Sequence, residues 1–373
     1  MTITEKTERT EKKRFAFIDQ YRGWAVLFMI ETHVLNAFLL PSLFPTRWYR
    51  AVSFTNGIVA PSFLFLAGFS FAIVALRKWQ DLLALNSVFW KQLGRYLLIL
   101  LIAYTLHIPG NSFHILFNQL KWNENHLFWG VDILHCIAVS LILMLLSMLL
   151  IRHQKRLFIG FGILGTAIAL STPLVHSLPI TSMVAAPFAG YFKRIYWSQF
   201  PLFPWMGFLL LGAATSFLWQ QVRQTSGENA FFKYGALVSA GMTASIFIIT
   251  FRHADFNPIH PPFFFMKLGI VGMLLSFFYW LEQKRQTLPA LITRMGQESL
   301  LAYAFHIFII YGILWNFGKH GPLMIMVVTL LLITATVLVC LAWQAMKQTK
   351  PRLARWIFLG FWGAVMVIHL LIK

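Results

Sequence analysis

Apolar runs of about 17 to 25 residues recur along the whole chain, and a run of that length matches one crossing of a bilayer's hydrocarbon core. Eleven can be drawn, near residues 16–40, 53–76, 94–109, 131–151, 157–173, 201–220, 232–251, 261–282, 295–317, 321–345 and 354–372. Lipid offers no partner to backbone N–H and C=O groups, so such runs close their hydrogen bonds as helices. The expected fold class is all-α: a polytopic transmembrane helix bundle of about 11 spans. Composition agrees, since 58% of the 373 residues are hydrophobic and 12% charged, which excludes an ordinary soluble domain.

The bundle reads as one unit. A disordered basic arm covers 1–14 (MTITEKTERTEKKR), the core covers 15–320, and 321–373 supplies C-terminal transmembrane helices of the same bundle. The third run is short, and the segment 174–200, rich in Pro and aromatics, reads as interfacial or re-entrant. No small-residue cleavage site follows the first apolar run, so no cleavable signal is expected. Of the 31 Lys and Arg, 21 fall in the arm and in alternate connections, 8 fall on the opposite face, and Arg22 and Lys267 lie within spans. The positive-inside rule then places the N-terminus in the cytoplasm and the C-terminus outside. Topology and anionic headgroups thus account for the formal net charge of +19 without a nucleic acid partner. Cys136 and Cys340 fall within spans, which argues against a disulfide framework.

The outer face has its own chemistry. His107, His114, His126, His176, His253, His260 and His320 fall there, with Trp122, Trp129 and Trp197 at or near the interface. Such groups suit carbohydrate or headgroup contacts, and interfacial Trp also forms the ordinary aromatic belt. His253, Asp255 and His260 match no standard ligand spacing, so no metal is expected.

The first run, FIDQYRGWAVLFMIETHVLNAFLL, carries Asp19, Arg22, Glu31 and His33. At 100° per residue the eleven steps from Arg22 to His33 return to nearly the same helix face, about 16 Å deeper. Asp19 lies one turn before Arg22 on that face, and Glu31 points elsewhere. Ionisable groups in hydrocarbon are costly and point to function. The structural reading is a snorkelling Arg22 paired with Asp19 and a hydrogen-bonded, packing His33. Other polar groups share the spans. Asp132 and His135 are three apart at the outer end of the fourth, either holding an acceptor or forming a local pair. His306 lies eight residues, about 12 Å, deeper than Glu298 and so at the level of His33. Lys267 either binds an acidic acceptor or snorkels. Gly68 and Ser70 in LAGFS suit close helix packing.

FIDQYRGWAVLFMIETH, APSFLFLAGFSFAI, VDILHCIAVSLIL, FPLFPWMGFLLLGA, PPFFFMKLGIVG and GQESLLAYAFHIFIIYG occur in that order over residues 14 to 315. Together they resemble the bacterial, YeiB-like members of the heparan-alpha-glucosaminide N-acetyltransferase-like family. The Arg, ten residues, His spacing also resembles the integral-membrane sugar O-acyltransferases of acyltransferase family three, in the same superfamily. The resemblance implies ten or eleven spans that take an acyl group, commonly acetyl, from cytosolic acyl-CoA and pass it to a sugar amine or hydroxyl on the far side. No resident metal is implied. The lysosomal relatives have Asn where this chain has His33 and an essential His in the first outer loop. Here that loop, PSLFPTRWYRAVSFTNG, has none, so the functional imidazole falls to His33.

Acyl transfer needs a base for the acceptor's proton, and imidazole titrates near pH ~6.5; it can also take the acyl group itself. An anionic acyl-CoA needs cations at the cytoplasmic mouth, and Arg22, Arg77, Lys78, Lys91 and Arg95 qualify. The sequence therefore nominates His33 and His306 as catalytic, Arg22 and Asp19 for the acyl-CoA, and Asp132, His135 and Lys267 for the acceptor. The expected setting is the cytoplasmic (inner) membrane, with lipids around the bundle, and a homodimer is compatible with it. The competing class is a proton-coupled transporter or a lipid or glycan flippase using midplane His, Asp and Glu. No inverted repeat is evident in its favour.

Overall fold

The computed structural model describes residues 15–108, 128–225, 227–253, 259–284, 289–314 and 318–354, with 356, 357 and 360. The basic arm, His114, Trp122, His126, Asp255 and all but four residues of the last apolar run lie outside the described residues. Within them the chain is helical, and its one isolated β-bridge joins Leu39 to His320. The family of helices runs α1 (Ala16–Phe38), α2 (Arg47–Asn56), α3 (Val59–Arg77), α4 (Trp79–Leu83) and α5 (Ser87–Leu106). There follow α6 (Ile133–Leu150), α7 (Gln154–Ser177), α8 (Ile180–Met183), α9 (Ala186–Phe192) and α10 (Leu202–Arg223). The chain continues with α11 (Glu228–His253), α12 (Pro261–Gln283), α13 (Ala290–Gln297), α14 (Ser299–Ile307, prolonged by a π turn over Phe308–Ile313) and α15 (Pro322–Thr349).

Seven helices among the described residues are long and apolar enough to cross a membrane: α2–α3 taken together, α6, α7, α10, α11, α12 and α15. The first expected run, α1, is not among them, and neither is α5. Both carry charges that lower their hydropathy, Asp19, Arg22 and Glu31 on α1 and Lys91 and Arg95 on α5. α1 tolerates them because it is enclosed, packing against α2, α3, α12, α13, α14 and α15. The 174–200 segment holds the end of α7, the two short helices α8 and α9, and a loop bonded to Val131.

Two glycine pairs let backbones touch at the centre. A Cβ on Gly68 of α3 would fall on the Leu209 carbonyl of α10, and one on Gly212 of α10 would fall on the Phe65 carbonyl. Gly23 of α1 and Gly296 of α13 make the same reciprocal approach, to Ile292 O and Asp19 O. Small residues at such crossings replace the hydrophobic drive that lipid removes. A Gly68→Val variant should lose about 3 kcal/mol, the upper end of overpacking costs, read as a lowered thermal unfolding temperature in detergent. An unchanged unfolding temperature would contradict the close crossing.

Candidate functional site

Asp19, Arg22 and His33 share one face of α1, as 3.6 residues per turn requires. At its N-terminal end Arg22 Nη1 lies 3.6 Å from Asp19 Oδ1, and Arg22 Nη2 donates to Ser70 Oγ on α3. Gln297 Nε2 donates to the other Asp19 oxygen at 3.3 Å, and Gln344 of α15 donates to Gln297 Oε1 at 3.2 Å. Arg22 is thus held by a chain of side chains from four helices. Ser70, which the sequence suggests is there for packing, is one of its partners.

A cavity of about 260 Å³ opens beside this guanidinium. Arg22, Ser70, Gln92, Tyr96 and Ser299 supply its polar atoms, and Phe63, Ala67, Phe71 and Ile99 much of its apolar wall. Met29 and Tyr303 line it as well, one turn before His33 and His306 respectively. Arg95 reaches the lining residue Gln92 at 3.4 Å. Arg77 lies instead over the Phe15 ring at 5.3 Å, a ring that Arg223 also covers.

His33 and His306 meet across α1 and α14, with His306 Nε2 3.1 Å from His33 Nδ1. Each ring is also tied to the carbonyl one turn behind it. His33 Nδ1 lies 2.8 Å from Met29 O, and His306 Nδ1 lies 2.6 Å from Ala302 O. A carbonyl cannot donate, so both Nδ1 atoms carry the hydrogen. His306 Nε2 is then a lone pair that accepts from His33 Nδ1–H, and His306 is fully enclosed. His33 is half-buried, and its Nε2, the remaining basic atom of the pair, has no hydrogen-bond partner among the described residues.

Beyond the imidazole pair Asp132 caps α6. Its Oδ1 accepts from His135 N at 2.9 Å and from His135 Nδ1 at 2.7 Å. Its Oδ2 faces the other way, 3.4 Å from the Tyr303 hydroxyl and 3.7 Å from His107 Nε2. His107, Asp132 and His135 bring three ligand-type atoms within 4.8 Å of one another. One Asp132 oxygen, however, is engaged in the cap. Tyr303 stands between this cluster and the imidazole pair, its ring 6.3 Å from that of His33 and 5.6 Å from that of His306. Tyr104 and Tyr191 share a hydrogen bond at 3.0 Å beside His135, and burial pushes the Tyr191 hydroxyl above its usual range, so it stays protonated.

Lys267 lies apart from these groups. It does not snorkel: it is 1% exposed, and its Nζ donates to Phe54 O at 2.8 Å over the Phe54 ring. A cation there satisfies a carbonyl in the last turn of α2. Glu31 points away from the His33 face, its Oε2 buried without a hydrogen-bond partner. His253 has no described side chain, and Asp255 lies outside the described residues. Sequence reading missed Gln297, Tyr303 and the turn of His107 toward Asp132. Tyr303 had one available signal, its place three residues before His306 on the same helix face.

The family described as heparan-alpha-glucosaminide N-acetyltransferase, catalytic, matches residues 14–241. Asp19, Arg22, His33, Asp132 and His135 lie inside the match, and Lys267 and His306 lie beyond it. No curated protein matches the chain.

Proposed function

Because the chain belongs to the heparan-alpha-glucosaminide N-acetyltransferase catalytic family, a family of membrane acetyltransferases, we propose that it moves an acetyl group from cytosolic acetyl-CoA to a sugar amine or hydroxyl beyond the membrane. The observation that carries this reading is the His33–His306 pair beside an apolar cavity that begins at a fixed arginine. The cavity suits a slender acyl-pantetheine arm, with Arg22 and Arg95 toward the phosphates. Its few polar atoms match the amides and hydroxyl of such an arm.

In this reaction His33 Nε2 takes the proton from the acceptor as its oxygen or nitrogen attacks the thioester carbonyl. The C–S bond then breaks, and the same nitrogen returns the proton to the leaving thiolate. His306 acts as a positioning residue. Its lone pair accepts from His33 Nδ1–H and stabilises the imidazolium, much as a carboxylate does in a catalytic triad. Asp132, with His107 and Tyr303 beside it, receives the acceptor from the outer side. The setting is the cytoplasmic membrane, with the N-terminus inside.

His306→Ala should lower kcat about tenfold, the loss of one hydrogen bond to a charged group at about 1.5 kcal/mol, with KM for acetyl-CoA unchanged. A fall in acetyl-CoA affinity without a fall in kcat would move His306 from the chemistry to the cofactor. The reading as a whole is tested with purified protein, labelled acetyl-CoA and glucosamine. Acceptor-dependent release of free CoA is the expected result. No acyl-CoA binding, together with solute flux in proteoliposomes lacking CoA, would establish the transporter instead.

A further inference from the structure

α14 is a short helix between two irregular turns. At its start Glu298, with φ −107° and ψ 31°, separates it from α13, and past Ile307 the backbone widens into the π turn over Phe308–Ile313. Such turns are rare and gather at functional sites. The residues between carry Tyr303 as well as His306. Tyr303 lines the cavity beside Arg22 and also reaches across to Asp132. Its side chain is buried and stands edge-on to both imidazoles. The hydroxyl lies 3.4 Å from Asp132 Oδ2, longer than a full-strength O–H···O bond, and His107 Nε2 stands off the same oxygen at 3.7 Å. That oxygen is held loosely, so a donor with better geometry can take it.

A base able to deprotonate a sugar hydroxyl can also deprotonate water, and water is always the more abundant. A transferase keeps its thioester only if water is held off until the acceptor arrives. We propose that Tyr303 sets the preference for acceptor over water: its ring shuts the cavity off from the Asp132 side, and its hydroxyl stays latched to Asp132 until an O–H or N–H of the acceptor displaces it. The inference rests on the proposed transferase reading and adds that acceptor binding at Asp132 opens the way to His33 Nε2. In the reaction the latch suppresses, a water oxygen attacks the thioester carbon while His33 Nε2 takes one of its protons. The C–S bond breaks, the nitrogen returns that proton to the thiolate, and the acetic acid gives its other proton to solvent.

The test is release of acetate and CoA from acetyl-CoA by purified protein in nanodiscs. Without an acceptor, Tyr303→Phe, which keeps the ring and loses the latch, should release acetate about fivefold faster than wild type, the loss of one ordinary hydrogen bond, and Tyr303→Ala faster still. With glucosamine, the ratio of acetylated sugar to acetate should fall by at least the same factor. Adding His33→Ala to Tyr303→Phe should abolish the gain, and Tyr303→Phe should bind acetyl-CoA as the wild type does. A folding defect lowers every rate and cannot imitate a gain of hydrolysis. The wild type offers a measure that needs no variant: N-acetylglucosamine, whose amine is already blocked, should displace the latch and raise acetate release. If the wild type acetylates glucosamine but neither a Tyr303 variant nor N-acetylglucosamine raises acetate release, or if the gain survives His33→Ala, the latch is refuted and the transferase reading stands. If the wild type binds acetyl-CoA and releases no CoA with or without glucosamine, the transferase reading falls and the latch with it.

Discussion

His33→Ala should lower acyl transfer by about 100- to 10,000-fold, the range a lost general base produces, while acetyl-CoA still binds. The two outcomes separate because His33 lies beyond Met29 and Tyr303, away from the proposed phosphate site, whereas Arg22 and the cavity wall remain. His306 cannot substitute. Its Nδ1 is bound to Ala302 O and its Nε2 faces inward toward His33, with no exposure of the ring. Single-turnover transfer measured beside calorimetric binding decides the point. Near-native transfer by His33→Ala would remove it from catalysis even if the family assignment holds.

Arg22→Ala should weaken acetyl-CoA binding by roughly 10- to 150-fold, equivalent to the 1.5 to 3 kcal/mol of a charge-assisted hydrogen bond. Arg22 is pre-positioned by Asp19 and Ser70, so little ordering cost offsets its contact. Removing it also leaves Asp19 facing only Gln297 among the contacts described above, so Arg22→Lys serves as the control that keeps the charge and loses the planar fork. Acetyl-CoA affinity equal to wild type by calorimetry would place the phosphates elsewhere.

The helices were legible because lipid imposes one requirement on every span, and hydropathy records it. The polar stripe of α1 was equally plain, since helical period alone aligns Asp19, Arg22 and His33. Depth along two helices that run in the same direction placed His306 near His33, although no periodicity gives the 3.1 Å or the orientation of the rings. What could not be read depends on packing between distant segments. Gln297 meets Asp19 because Gly23 and Gly296 let α13 lie against α1. Lys267 meets α2 because the stretch after α1 forms a helix whose end lies beside α12. Neither neighbour is a property of local sequence.

The two Nδ1–H groups locked onto carbonyls leave one working nitrogen for the proposed reaction, whose partners would stand on opposite sides of the membrane. On the proposed topology a proton moves inward as the equivalent of an acylium moves outward, so acceptor and CoA each keep the charge they had. The turnover is then electroneutral, and a voltage imposed on proteoliposomes should leave the extent of transfer unchanged. Direction would be set by the acetyl-CoA and acceptor on either side, and the membrane would act as a partition and not as a source of drive.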